Sequence, residues 1–146
     1  MIKNVGGTDI KPKHRASCHC GAVVLELDLP DGIVDPRRCD CSICRRKGAI
    51  VASVPLSGIR IIQGESSLKL YQFNTKTAKH YFCRNCGIHP FIRPRLDPNR
   101  WAVNVRCLDD VDLSSLKIRQ FDGEHWEDAA KTFFESPGRG AAKPER

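Results

Sequence analysis

Seven of the eight cysteines in this chain fall into three tight groups, Cys18/Cys20, Cys39/Cys41/Cys44 and Cys83/Cys86. Core packing does not call for sulfurs at such spacing. Thiolates held this close repel one another and oxidise unless a cation sits between them, and Zn²⁺ is the usual occupant. The compartment decides between metal and disulfide. The polar stretch Met1 to Arg15 shows no signal peptide, and no run approaches the roughly 18 apolar residues that cross a bilayer. A cytoplasmic, reducing setting with no membrane partner is therefore expected, and there clustered cysteines read as metal ligands.

The segment Cys39-Asp40-Cys41-Ser42-Ile43-Cys44 is the most constraining of the three. If it is extended, Cys39 and Cys41 point the same way, and a turn swings Cys44 back toward them. Three protein ligands leave a tetrahedral metal one position short, which is the mark of a catalytic rather than a structural zinc site. Cys83-Arg84-Asn85-Cys86-Gly87 reads as a zinc knuckle, with Gly87 permitting the tight turn. A knuckle needs two further ligands. Joining it to Cys18/Cys20 makes a closed four-cysteine site and leaves Cys39, Cys41 and Cys44 as an open one. The rival partition joins Cys18/Cys20 to Cys41/Cys44 and leaves Cys83/Cys86 beside Cys39, which splits the tightest cluster. Cys107 stands alone and reads as a small buried residue at a strand end.

The remaining pattern is that of short strands. Ala22 to Leu29 alternates, with Val23, Leu25, Leu27 and Leu29 on one face and Glu26 and Asp28 on the other. Further strands are expected over Ala49–Val54, Ile59–Gln63, Leu68–Phe73, Lys79–Phe82, Phe91–Arg95 and Trp101–Arg106, separated by Gly, Pro and Asn turns. Helical signals are confined to single turns near Ile43–Lys47 and Asp112–Leu116. These features predict a mostly β, antiparallel domain. Residues 1–13 are expected to form a flexible leader, 14–135 the zinc-stapled domain and 136–146 a disordered tail.

The formal charge is +7, and two Zn²⁺ ions on seven thiolates would lower it to about +4. A moderately basic protein suits an anionic partner, whether a small carboxylate or a nucleic acid. The basic residues are scattered, without aromatic interleaving or a known nucleic-acid motif, so a nucleic-acid partner is not expected.

Cys18-His19-Cys20-Gly21-Ala22-Val23, Cys39 to Arg46 and Cys83 to Gly87 together resemble the glutathione-dependent formaldehyde-activating enzyme family, which includes centromere protein V. The matching pieces span residues 16 to 110, about two-thirds of the chain. Phe91–Arg95 and Asn104–Asp109 look closest to the centromere protein V branch. The resemblance implies a small fold of folded-over antiparallel sheets. It also implies a structural zinc at Cys18, Cys20, Cys83 and Cys86, a catalytic-type zinc at Cys39, Cys41 and Cys44, and carbon–sulfur lyase chemistry that joins formaldehyde and glutathione or separates them. A small-molecule thiol or thiol adduct is then the expected partner. Arg45, Arg46, Lys47, Arg93 and Arg95 become candidate clamps for the two glutathione carboxylates. His89, just after the knuckle, becomes the candidate acid–base residue. The alternative reading is a non-catalytic, zinc-stapled binding module for an anionic partner such as nucleic acid.

Overall fold

The computed structural model describes residues 1–135, so the expected tail, 136–146, lies outside the described residues. The strands are β1 (Asn4–Val5), β2 (Thr8–Asp9), β3 (Lys13–Ser17), β4 (Val24–Asp28), β5 (Arg37–Cys39), β6 (Val51–Pro55), β7 (Ile59–Gln63), β8 (Leu68–Tyr71), β9 (Lys79–Cys83), β10 (Phe91–Arg93), β11 (Arg100–Asn104) and β12 (Arg119–Phe121). Two α-helices, α1 (Cys44–Lys47) and α2 (Trp126–Glu135), and four short 3-10 turns accompany them. Seven strands form one sheet in the order β12-β5-β6-β11-β10-β9-β8, and β3-β4-β7 form a second. Pairing is antiparallel throughout both sheets except between β12 and β5.

The alternation read in β4 is the alternation observed. Val23, Leu25, Leu27 and Leu29 are all buried, and they share one core cluster with Ala52 and Val54 of β6, Phe91 of β10 and Val103 of β11. The small sheet thus covers one face of the large one, and its own outer face is polar. There Arg60 of β7 binds Glu26 and Asp28, at 2.5 and 3.0 Å, and Lys13 of β3 reaches Asp28 at 2.9 Å. In the large sheet an aromatic ladder crosses β9, β10 and β11. Phe91 sits 5.1 Å from Tyr81 and 5.2 Å, edge to face, from Trp101, the geometry that aromatic quadrupoles favour.

Two readings need correction. The segment expected as a flexible leader carries the β1–β2 hairpin and buries Val5 and Ile10 in the core. Its two-residue turn is Gly6-Gly7, both at positive φ, as the tightest hairpin turns require. A second helix, α2, follows β12 where no helix was expected. Asp112–Leu116 makes one turn, closed by the Leu116 amide donating to the Leu113 carbonyl at 3.0 Å. None of the described helices is long and apolar enough to cross a membrane.

Candidate functional site

The cysteines gather into two groups, Cys18/Cys20/Cys83/Cys86 and Cys39/Cys41/Cys44, and within each group all sulfurs lie within 4.8 Å of one another. The structure thus places Cys18/Cys20 beside Cys83/Cys86 and keeps Cys39, Cys41 and Cys44 together. In the group of four, Cys18 follows β3, and its backbone amide donates to the Val23 carbonyl, closing a loop that presents Cys20. Cys83 ends β9, and the Cys83–Ile88 turn presents Cys86. Gly87 closes that turn at φ +78°, its amide donating to the Cys83 carbonyl at 2.7 Å. The Cys18–Cys20 and Cys20–Cys83 sulfur separations are 3.6 and 3.7 Å. Four thiolates around zinc at about 2.3 Å would stand roughly 3.8 Å apart, so the donor set fits a tetrahedral ion. Cys107 belongs to neither group. Burial first, and then the nearby Cys18 and Cys86, push its thiol up to about 12.

The triplet is assembled differently from the expected extended segment. Strand β5 stops at Cys39, residues 41–43 bend and turn, and α1 begins at Cys44. The Arg45 amide donates to the Cys41 carbonyl at 3.0 Å, which brings the third sulfur back over the first two. Hydrogen bonds from the Cys39 and Cys44 thiols draw the Cys41 thiol far below its usual range, and in return Cys39 and Cys44 are pushed up. Three sulfurs this close cannot all ionise on their own, and a divalent cation removes that conflict. The set therefore suits a soft-ligand metal such as zinc, with three protein donors and one position free.

A cover from the far end of the chain closes over the triplet. Phe121 of β12 pairs with Cys39 of β5, and the bidentate grip of Arg119 on Asp35, 2.9 Å at each contact, ties β12 to the start of β5. The chain then turns so that buried Gly123 sits against the cysteines. A Cβ placed there would collide with the Cys39 sulfur and stand 2.7 Å from the Cys41 Cβ. Asp122 caps the turn by accepting from the His125 amide at 3.2 Å, and α2 leads away.

The triplet opens into a cavity of about 410 Å³, within the roughly 300–1,000 Å³ typical of small-molecule sites. Apolar walls come from Phe73, Ile92, Leu96, Phe121 and Trp126, and cations from Arg37, Arg45 and Arg95. The Arg95 guanidinium lies 3.8 Å over the Trp126 ring, which holds its planar fork in one orientation. Of the four arginines expected as clamps, Arg45 and Arg95 reach this cavity. Arg46 donates instead to the Ser42 carbonyl at 2.6 Å, and Arg93 to the Pro98 carbonyl at 2.8 Å. His89 is not among the lining residues. It lines a neighbouring cavity with Lys47 and Phe82, and its buried Nδ1 has no hydrogen-bond partner among the described residues.

The histidine that does line the triplet's cavity is His80, which the sequence reading passed over. It is buried, and its Nδ1 lies 2.7 Å from Lys47 Nζ. Burial, reinforced by the Lys47 charge and then by His89, pushes His80 down to about 4, and burial likewise lowers Lys47 to about 8. Arg37 and Gly123 were also missed. What lies near them that sequence spacing could flag is the cysteine cluster itself, Cys39 and Cys41 against Gly123.

Residues 13–129 match the model of a family described as glutathione-dependent formaldehyde-activating enzyme. A Penicillium rubens protein named "Putative glutathione-dependent formaldehyde-activating enzyme" is 29% identical over 110 residues, a stretch that covers 73% of this chain and 57% of the relative. The chain thus spans little more than half the length of that relative. A crystal structure of a Rhodobacter sphaeroides protein is similar with a TM-score of 0.69 and 48% identity, covering 73% of this chain and 98% of that one.

Proposed function

The chain belongs to the glutathione-dependent formaldehyde-activating enzyme family, and from that premise we propose that it is a zinc-dependent carbon–sulfur lyase acting on a glutathione-like thiol and its aldehyde adduct. The observation that carries the reading is the three-cysteine cluster opening into a cavity that also holds Arg45 and Arg95. Cys18, Cys20, Cys83 and Cys86 would hold a structural zinc that ties the β3–β4 loop to the end of β9. A zinc ion held by Cys39, Cys41 and Cys44 would supply a free position at which a thiol ionises near neutral pH.

The chain's own residues supply the rest. Arg45 and Arg95 offer two cationic anchors for the two carboxylates of a glutathione-like thiol, and the Trp126 ring orients the Arg95 guanidinium stacked over it. Phe121, Ile92 and Leu96 exclude water around the reacting carbon. Exclusion of water strengthens each polar contact inside the cavity and limits loss of the aldehyde as its hydrate. Such a set of contacts binds and orients two reactants, so much of its effect is proximity.

The test combines metal content with turnover. Mass spectrometry on chain purified without added metal or chelator should give two zinc ions per chain, and Cys41→Ser one, with the fold retained. Exchange between free and hydroxymethylated glutathione, followed by NMR, should accelerate with the wild-type chain and not with Cys41→Ser. Global unfolding of Cys41→Ser would make the triplet structural. Two zincs without any thiol-dependent turnover would leave a zinc-stapled binding module in place of a lyase.

A further inference from the structure

We propose that His80 is a catalytic residue of this cavity, donating a hydrogen bond from Nε2 to the oxygen of the bound aldehyde, and that Lys47 is the positioning residue that keeps the ring proton on Nε2. The proposal rests on the reading of the cavity as a thiol–aldehyde site, and it adds the group that handles the oxygen.

The argument begins with the 2.7 Å contact between Lys47 Nζ and His80 Nδ1. An ammonium has three donors and no acceptor, so across this contact Nδ1 must accept. A neutral imidazole that accepts at Nδ1 carries its proton on Nε2. Nothing among the described residues accepts from that Nε2–H, although the residue is buried and lines the cavity beside the three sulfurs. A donor on a buried residue, with no protein acceptor, is left for the ligand, as an oxyanion site requires. The ring is held from its other sides as well. Phe73 lies 5.8 Å from it, and β9 pairs with β8 at Tyr71 and with β10 at Ile92. Burial, the Lys47 charge and then His89 also keep the ring neutral near pH 7, against a smaller opposing pull from Cys41.

The chemistry balances without a cofactor beyond the metal already considered. As the substrate sulfur forms its bond to the carbonyl carbon, the C=O π pair moves onto oxygen, and charge develops there. The His80 Nε2–H meets that charge. The thiol's proton leaves to solvent and the oxygen takes one back, so His80 begins and ends the cycle neutral. In the reverse direction the same donor stabilises the oxygen as the carbon–sulfur bond breaks. Lys47 touches no reacting atom; its side chain lines the neighbouring cavity and acts through the imidazole.

Two measurements on the full-length, zinc-loaded chain test the proposal. Ring-nitrogen correlation spectra of ¹⁵N-labelled protein, assigned by the signals lost in His80→Gln, should show His80 neutral with its proton on Nε2 at pH 7. Lys47→Met should shift it toward a mixture of tautomers. In exchange kinetics His80→Phe should lower kcat by roughly 100-fold or more, as for the loss of one oxyanion donor, with KM for glutathione changed less than about threefold. His80→Gln retains an N–H donor and should recover part of that loss; Lys47→Met should lower kcat by a smaller factor. A proton on Nδ1, or an imidazolium at pH 7, overturns the proposal even where a variant fails to fold. Wild-type turnover with kcat unmoved in His80→Phe overturns the role of His80 alone. No wild-type turnover overturns the function reading, and the role of His80 with it.

Discussion

Gly123 sits where Cys39 and Cys41 leave no room for a side chain, and that contact makes a residue far from the triplet in sequence part of its geometry. Gly123→Ala must displace either the turn or the sulfurs. Overpacking of this kind costs about 1–3 kcal/mol. Under the proposed function the expected outcome is selective weakening of one metal site: a chelator titration should remove the first zinc equivalent from Gly123→Ala at lower chelator concentration and leave the second unchanged. Loss of both equivalents together would mean that the glycine supports the whole fold. At this scale the cysteines were legible from spacing and the second-sphere groups were not. His89 drew notice because it follows Cys86 by three residues. His80 is the one that reaches the cavity, because β9 runs past the triplet with that position buried. Side-chain direction along a strand follows from which face is covered, and local sequence does not state that for Lys79-His80-Tyr81-Phe82.

The decisive elements for the site are the two that the sequence reading left out, β12 and α2. The apolar stripe of α2 was present all along: Trp126, Ala129, Ala130, Phe133 and Phe134 recur at helical spacing, and Ala130 is buried beneath them. Strand β12 has three residues and no alternation to read. It is held in place by its parallel register with β5 and by Arg119 on Asp35. Together they carry Trp126 to the cavity. Trp126→Ala removes the ring beneath Arg95, an interaction worth roughly 0.5–2 kcal/mol. Under the proposed function KM for glutathione should rise about 3- to 30-fold with kcat unchanged, while zinc content stays at the wild-type value. A fall in kcat with KM unmoved would place Trp126 in the chemistry instead of in carboxylate binding.

Across the whole molecule, buried His80 and half-buried His89 tie stability to pH. Burial, aided by Lys47, lowers both His80 and His89 to about 4, whereas an unfolded histidine titrates near 6.5. Between these values the unfolded chain binds more protons than the folded one, so stability rises with pH. The contribution is complete above about pH 6.5 and disappears as the pH falls through about 4. Denaturant melts of wild type and of His80→Gln, compared from pH 4 to 6.5, should show a shallower pH dependence in the variant; equal slopes would place the imidazole in a more hydrated state than its burial indicates.

The sequence by itself determined the grouping of the cysteines, the antiparallel β character and the inward face of β4. Each of these is written in spacings of two or three residues, where backbone geometry alone relates one side chain to the next. Only the tertiary structure decided which cations and which histidine face the triplet, and that Gly123 and Trp126 cover it. Those groups lie between Arg37 and Trp126 in the chain and meet because β5 is placed between β6 and β12. That strand order is set by the packing of the whole sheet, and no local period of the sequence encodes it.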